Sequence, residues 1–323
     1  MNVLVVGAGA IGSVFGGFLA KAGHRVSLVG RPRHMAAIAE RGLEIRGIWG
    51  EHTVTSLITF VSTTDVLPQS FDIILISTKS YDTEEAVRQV YPLVSPDSLV
   101  ISLQNGLGNL EMISELAGPT RTLGGRVIFG VELHNPGQVE VTVYQDKGRV
   151  GSPTGAVPQQ GDGRVARAFT EAGIPSEPTA EITKYIWGKV LYNCCLNPLS
   201  AILECNYGEL REHEETRRIM SEVIAEVFAV AGCKGVALFW QSPQEYERLL
   251  LDMLIPDTYA HHSSMLQDII QGRRTEIDAM NGAIAKLGRE MGLETPTNLL
   301  LTRLVKAKER RQMKQAAREQ GTA

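Results

Sequence analysis

The stretch "NVLVVGAGAIGSVFGGFLAKAGHRVSLVG" (Asn2–Gly30) decides the fold. "NVLVVG" (Asn2–Gly7) reads as a strand, Ile11 to Ala22 as a helix and "HRVSLVG" (His24–Gly30) as a second strand. Gly7, Gly9 and Gly12 fall at the strand-to-helix turn with GxGxxG spacing. In that setting Gly7 permits the tight turn and Gly9 lets the backbone approach a pyrophosphate. Gly12 lets helix and strand pack closely. The helix then offers free N–H groups and a positive dipole end to phosphates. Gly7, Gly9, Ala10, Ile11 and Gly12 are therefore the expected cofactor-binding turn.

The end of the second strand selects the cofactor. Dinucleotide sites for NAD place an acid there for the ribose 2′-hydroxyl. This chain has "GRPRH" (Gly30–His34), with Arg31 and Arg33 and no acid. A guanidinium grips a 2′-phosphate in a bidentate way, so the expected cofactor is NADPH/NADP+. "FDIILISTK" (Phe71–Lys79) and "SLVISLQNG" (Ser98–Gly106) are near-continuously apolar, as strands of a parallel sheet covered on both faces are. Ligands bind beyond the carboxyl ends of such strands. Lys79 is thus expected near the cofactor ribose or phosphates, and Asn105 near the nicotinamide end. "TLGGRVIFGVEL" and "GQVEVTVYQ", joined by the turn "NPGQ" (Asn135–Gln138), read as an antiparallel addition to that sheet. "GSPTGAVPQQGDG" (Gly151–Gly163) reads as a loop, and Pro175 and Pro178 mark a boundary.

Beyond the boundary the pattern is almost wholly helical. The expected organisation is an α/β Rossmann-type domain with a mostly parallel sheet over residues 1–178, then an all-helical domain over 179–323. The totals agree: 323 residues exceed one ordinary core, with 43% hydrophobic and 21% charged residues. A net charge of −4 argues against a polyanion-binding surface. The basic run "KAKERRQMKQAARE" (Lys306–Glu319) reads as the solvated end of a last helix. Cys194, Cys195, Cys205 and Cys233 show no CxxC spacing, which suits reduced thiols in a cytoplasmic protein. The apolar start has no charged n-region and holds five glycines between Val3 and Ala20, unlike a signal or membrane segment.

The helical half poses a sharper question. "ITKYIWGKVLYNCCLNPLSAI" (Ile182–Ile202) reads as a largely apolar helix, yet Lys189, Asn193 and Asn197 recur every four residues and form one polar line. A carbonyl reductase needs an acid to protonate oxygen as hydride reaches carbon, and Lys189 suits that role if its surroundings lower its pKa. Spacing leaves open a structural polar seam between helices. Further on, "HHSSMLQDIIQGRRTEIDAMNG" (His261–Gly282) places Ser263 or Ser264 as the cap of a helix with Glu276 in its interior. Glu276 reads either as an acceptor for a substrate hydroxyl or as a solvated helix residue, and Ser264 as a donor to a carboxylate. Adjacent His261 and His262 point apart and find no third partner at workable spacing, so no metal is expected.

At these residues the chain resembles the ketopantoate reductases, also called 2-dehydropantoate 2-reductases. "STK", "QNGLGN", "WGKVLYNCCLNPLSAI", "NYGEL", "SSMLQDI", "RRTEID" and "NGAIAKLGREMGLETPTN" carry the likeness over nearly the whole chain. The resemblance implies a helical domain of the 6-phosphogluconate-dehydrogenase-like type. It also implies NADPH-dependent reduction of 2-dehydropantoate to pantoate, a step of pantothenate and coenzyme A synthesis. It makes Lys189 the proton donor and puts Asn193 and Asn197 beside the substrate. Ser264 falls at the carboxylate and Glu276 at the primary hydroxyl. Arg31 matches the 2′-phosphate arginine, and Lys79 and Asn105 match cofactor-side positions. A small-molecule 2-oxo acid is the implied partner, and a homodimer the assembly considered.

Two departures bear on substrate rather than reaction type. His261 stands where the family carries an asparagine, three residues before the motif serine, and "GRVIFGVELHNPGQVEVTVYQD" (Gly125–Asp146) resembles a divergent branch. The alternatives are a reductase of another 2-oxo acid or an opine-type imine, and a non-catalytic NADP-binding sensor.

Overall fold

A computed structural model describes residues 1–66, 69–157 and 161–321, so part of the expected Gly151–Gly163 loop lies outside the described residues. The chain divides into two units, Met1–Gln104 with Gly108–Tyr185, and Asn105–Leu107 with Ile186–Ala323. The division thus falls seven residues beyond the expected 178/179 boundary, and a tripeptide of the first half is counted with the second.

In unit 1 the chain runs β1 (Asn2–Val6), α1 (Ala10–Lys21), β2 (Arg25–Val29), α2 (Pro32–Arg41), β3 (Leu43–Gly47), β4 (His52–Val54) and β5 (Leu57–Phe60). It continues with β6 (Ile73–Ile76), α3 (Thr83–Val90), β7 (Leu99–Ser102), α4 (Asn109–Ala117) and β8 (Thr122–Arg126). Then come β9 (Phe129–Asn135), β10 (Gln138–Tyr144), β11 (Gly148–Gly151), α5 (Gly161–Glu171) and β12 (Ser176–Pro178). Among the described residues one sheet has eight strands in the order β12-β11-β8-β7-β6-β1-β2-β5. β5, β2, β1, β6, β7 and β8 pair in parallel, and β11 runs antiparallel to β8. All four residues of β6 and of β7 are buried, the both-faces-covered pattern their apolar runs predict.

The β9–β10 pair forms with Asn135–Gln138 as its turn, and Gly137 takes φ +83° there. It does not extend the main sheet. β10 pairs in parallel with β3, giving a second sheet of order β4-β3-β10-β9 among the described residues. An aromatic cluster accounts for the placement. Phe129 of β9 packs on Trp49 with centroids 4.7 Å apart, and Phe15 of α1 meets both Phe129 (5.9 Å) and Phe169 of α5 (4.8 Å). These ring contacts bury apolar area between β9, α1 and the turn after β3, a gain that an edge extension of the main sheet would have to match.

α6 (Ile182–Leu203) opens the helical half, followed by α7 (Tyr207–Glu212), α8 (Glu214–Cys233), α9 (Pro243–Leu249) and a π-helical turn at Leu250–Leu254. α10 (Ile255–Asp257), α11 (Ser264–Ile270), α12 (Asn281–Glu290) and α13 (Pro296–Gly321) complete it. In unit 2, α6 is largely apolar outside its one polar line: Trp187, Val190, Leu191, Cys194, Cys195, Leu196 and Leu199 lie in one core with α8 and α12 side chains.

Pro198 sits inside α6. Proline has no N–H, so the carbonyl four residues earlier, that of Cys194, loses its helical donor. The Asn281 amide supplies the missing bond at 3.0 Å and also donates to Asn298 Oδ1 at 3.0 Å. Asn298 in turn donates through its backbone N–H (2.9 Å) and its amide (2.7 Å) to Glu226 of α8. One polar chain, buried at Asn281 and Asn298 and half-buried at Glu226, therefore joins α6, α12, α13 and α8. At its far end α6 is closed by Lys308 of α13, whose ammonium donates to the Ile202 carbonyl at 2.8 Å, a cation at a helix C-terminus.

Asn281→Ala is expected to cost about 2–3 kcal/mol in urea unfolding, because it orphans a buried carbonyl. In a Pro198→Ala background, where residue 198 can donate again, the same change is expected to cost about 1 kcal/mol less. Strict additivity in this double-mutant cycle would refute the proline account.

Candidate active site

The three glycines of the turn have three distinct surroundings. Gly7 has φ +93°, and a Cβ there would collide with the backbone of Thr78. At Gly12 a Cβ would lie 2.5 Å from Ser77 Oγ and 2.6 Å from the Gly7 carbonyl oxygen. At Gly9 the nearest atom to a Cβ would be 3.9 Å away, so that side of the backbone is open. Gly9 is the N-cap of α1 and has no side-chain capping bond, which leaves the first N–H groups of the helix, at Ala10, Ile11 and Gly12, for a ligand. An open backbone and an uncapped helix start fit a pyrophosphate.

The turn lies at the topological switch point. β1 leads through α1 to β2 on one side, and β6 lies on its other side. Ser77, just after β6, donates its hydroxyl to the Gly7 carbonyl at 3.0 Å and its N–H to Val6 at 2.8 Å. Lys79 follows, half-buried, as the N-cap of a 3-10 turn at Ser80–Asp82. Gln104 ties the end of β7 to this loop, donating to the Thr78 carbonyl (3.1 Å) and to Thr83 Oγ1 (2.7 Å). Arg31, exposed, is the N-cap of α2, and Arg33 is exposed in its first turn.

Sequence reading passed over His34, which is 4% exposed. The Gly137 N–H donates to its Nδ1 at 2.9 Å, so the proton sits on Nε2, which donates to Ser13 Oγ at 2.9 Å. The ring thus bolts α2 to α1 and to the β9–β10 turn. Burial, and then the charge of Arg31, lower its pKa from 6.5 to about 4. A residue in the first turn of α2 beside "RPR" gives no periodic signal for this bond; Gly137 lies 103 residues away.

In unit 2 the polar line of α6 becomes more deeply buried along its length. Lys189 is half-buried, Asn193 is 8% exposed and Asn197 is 2% exposed. Asn197 Oδ1 accepts from the Tyr207 hydroxyl at 2.8 Å, and its amide lies 3.5 Å from the Met280 sulfur. Its side chain therefore meets the seam alternative, holding α7 and the Met280 segment against α6. His261 packs its ring edge-on against Tyr207, with centroids 5.2 Å apart.

Ser263, fully buried, caps α11 by accepting from the Leu266 N–H at 3.0 Å, which leaves Ser264 exposed as the first helical residue. Glu276 is not inside that helix. α11 stops at Ile270, Gly272 takes φ +63°, and Glu276, 7% exposed, stands at the N-cap position of a 3-10 turn at Ile277–Ala279, with no side-chain capping bond to it. The tripeptide Asn105–Leu107 belongs to this unit. Leu107 donates its N–H to the Ala279 carbonyl at 2.8 Å, and Ala279 donates its own to the Glu276 carbonyl at 3.0 Å. Gly106 has φ +90°, and a Cβ there would lie 2.5 Å from the Ala279 oxygen. Asn105, Glu276 and Asn197 are thereby joined through neighbouring segments, while Lys189 and Asn193 continue the Asn197 line toward the start of α6.

Among the described residues no group of three or more His, Cys, Asp or Glu side chains is placed to hold a metal, and no helix is long and apolar enough to cross a membrane.

Residues 3–154 match the family model described as ketopantoate reductase PanE/ApbA, and residues 181–309 match that of its C-terminal part. A 2-dehydropantoate 2-reductase of Aquifex aeolicus is 41% identical, over 96% of this chain and 97% of that protein. A PanE/ApbA family ketopantoate reductase structure from Ralstonia eutropha superposes with a TM-score of 0.87 at 32% identity, covering 97% of this chain and 99% of that one. A D-mandelate dehydrogenase bound to NADH and anilino(oxo)acetate gives 0.86 at 27% identity, with the same coverage.

Between pH 6.5 and 4 the unfolded chain binds a proton on His34 that the folded chain excludes, so stability rises with pH across that window. The stabilisation is complete above 6.5, and roughly 3 kcal/mol of it is lost by pH 4, at about 1.4 kcal/mol per unit. His34→Gln is expected to remove that share of the acid destabilisation seen in the wild type by urea melts. Identical pH profiles for the two proteins would contradict the buried neutral ring.

Proposed function

Because the chain belongs to the ketopantoate reductase family, we propose that it reduces 2-dehydropantoate to pantoate with NADPH. The observation that carries this reading is likeness over 96% of the chain to a 2-dehydropantoate 2-reductase at 41% identity. The open side of Gly9 and the uncapped start of α1 support binding of the cofactor's pyrophosphate by the Gly7–Gly12 turn. Arg31, exposed at the end of β2, holds the 2′-phosphate, and Lys79 lies on the loop after β6 that the turn packs against. When bound, the reduced nicotinamide supplies the hydride.

The residues of the chain do the rest. The Lys189 ammonium gives its proton to the carbonyl oxygen as negative charge develops there. Asn193, one turn along the same face, orients the carbonyl. Ser264 donates to the substrate carboxylate, and Glu276 accepts from the primary hydroxyl. Asn105, held in the segment that Ala279 seats, adds an amide at the reacting end. Asn197 acts behind them, since its amide oxygen is taken by Tyr207. Four unpaired cysteines support a reducing, cytoplasmic setting.

A second reading, another 2-oxo acid with NADH, is favoured by the likeness to the NADH-bound D-mandelate dehydrogenase and by His261 beside Tyr207. One assay separates them: oxidation of NADPH and of NADH with ketopantoate and with plain 2-oxo acids. Fast turnover with ketopantoate and NADPH is expected, whereas activity only with another acid would move the assignment there. Tight NADPH binding without any turnover would favour a sensor. Lys189→Ala is expected to lower kcat about a hundredfold or more. Arg31→Ala should raise KM for NADPH about tenfold and barely alter that for NADH. Retained turnover in the lysine variant would sink the acid assignment.

A further inference from the structure

Glu276 ends an irregular segment, Gln271–Glu276, that has no helix or strand to fix it. The segment is pinned instead by side chains. Arg273 donates twice to one oxygen of buried Asp268, at 2.9 and 2.7 Å, and its N–H donates to the Asp268 carbonyl at 2.8 Å. Thr275, immediately before Glu276, donates both its N–H (3.1 Å) and its hydroxyl (2.9 Å) to one carboxylate oxygen of Glu309. On the other side of Glu276, Asp278 pairs with Lys306 at 2.5 Å. Glu309 and Lys306 are three residues apart on one face of α13. This helix therefore grips the chain at residues 275 and 278, on both sides of the buried Glu276.

We propose that Glu309, through Thr275, is a positioning residue that sets where the Glu276 carboxylate meets the hydroxyl of the substrate. The inference rests on the reading of Glu276 given above. Two charge-assisted bonds from a single residue fix the backbone at Thr275, and so the Cα of the next residue, more firmly than one would. A carboxylate that recognises a hydroxyl is sensitive to such placement, because a displacement of about 1 Å is enough to lose a hydrogen bond. Proton donation by Lys189 and hydride delivery to the carbonyl carbon do not run through these bonds. The clamp therefore governs discrimination between substrates with and without a distal hydroxyl, rather than the chemistry at the carbonyl.

The test compares kcat/KM for ketopantoate with that for 3,3-dimethyl-2-oxobutanoate, which is ketopantoate without its hydroxyl. Glu309→Ala and Thr275→Val are expected to lower the ratio of the two about tenfold, mainly through KM for ketopantoate. Glu309→Gln and Thr275→Ser keep an acceptor and a hydroxyl respectively, and should restore most of the ratio. An equal fall for both substrates, or no fall for either, overturns the proposal, since a merely structural tie would not change the preference. If Glu309→Ala does not fold, Thr275→Val decides: a lost ratio supports the clamp and an unchanged one overturns it. Glu276→Ala distinguishes the two layers. If it leaves the ratio unchanged, the hydroxyl reading of Glu276 fails; if it alone collapses the ratio, only the clamp does.

Discussion

A missing N–H organises the helical unit. Pro198 deprives the Cys194 carbonyl of its donor in the middle of a buried helix, where an unpaired carbonyl costs far more than an ordinary hydrogen bond contributes. Asn281 answers it, and because an amide has two N–H groups, the same side chain also reaches Asn298. Asn298 hands the connection on to Glu226, which also accepts from the N–H of Thr297 at 2.8 Å and so caps the start of α13. Four helices are placed by one polar chain. Apolar packing sets the rotation of α6 only coarsely, since apolar side chains cover most of its surface, whereas the carbonyl at Cys194 is answered by Asn281. The rotation so chosen fixes the face on which Lys189, Asn193 and Asn197 stand.

In unit 1 the corresponding constraint is steric. The Gly7 backbone lies against Thr78 and the Gly12 backbone against Ser77, so the turn after β1 and the loop after β6 are shaped as a pair. Gly9 alone keeps its face clear. His34 carries the same rigidity outward, because its neutral ring fastens the start of α2, where Arg31 stands, to α1.

Local signals carried the reading of the sequence a long way. The glycine spacing, the apolar runs of β6 and β7 and the turn at Asn135–Gln138 are all decided by near neighbours, and the structure has each of them. Long-range partners were not legible. Nothing in β10 says that it pairs with β3 rather than joining the main sheet; that follows from where Phe129 finds Trp49 and Phe15. Ser263 and Ser264 are equally good caps on paper, and only the fold buries one and exposes the other. One error was avoidable. Gly272 after "DIIQ" is a helix-stop signal, and it separates Glu276 from α11. The line of Lys189, Asn193 and Asn197 was legible as a line, but its inward gradient was not, because spacing does not report that Tyr207 takes up the last amide.

The tripeptide Asn105–Leu107 has a consequence for how such a chain can be inherited. It leaves the first half between β7 and α4, seats Gly106 on Ala279 and returns. The boundary between the halves is therefore crossed three times, not once. Recombination that exchanged the helical half at a single junction near residue 185 would bring in a new 3-10 turn without the loop that fits it. A replacement helical half would therefore need a residue as small as Ala279 where Gly106 seats, more than 170 positions away in sequence, because Gly106 at φ +90° has no side chain to give up.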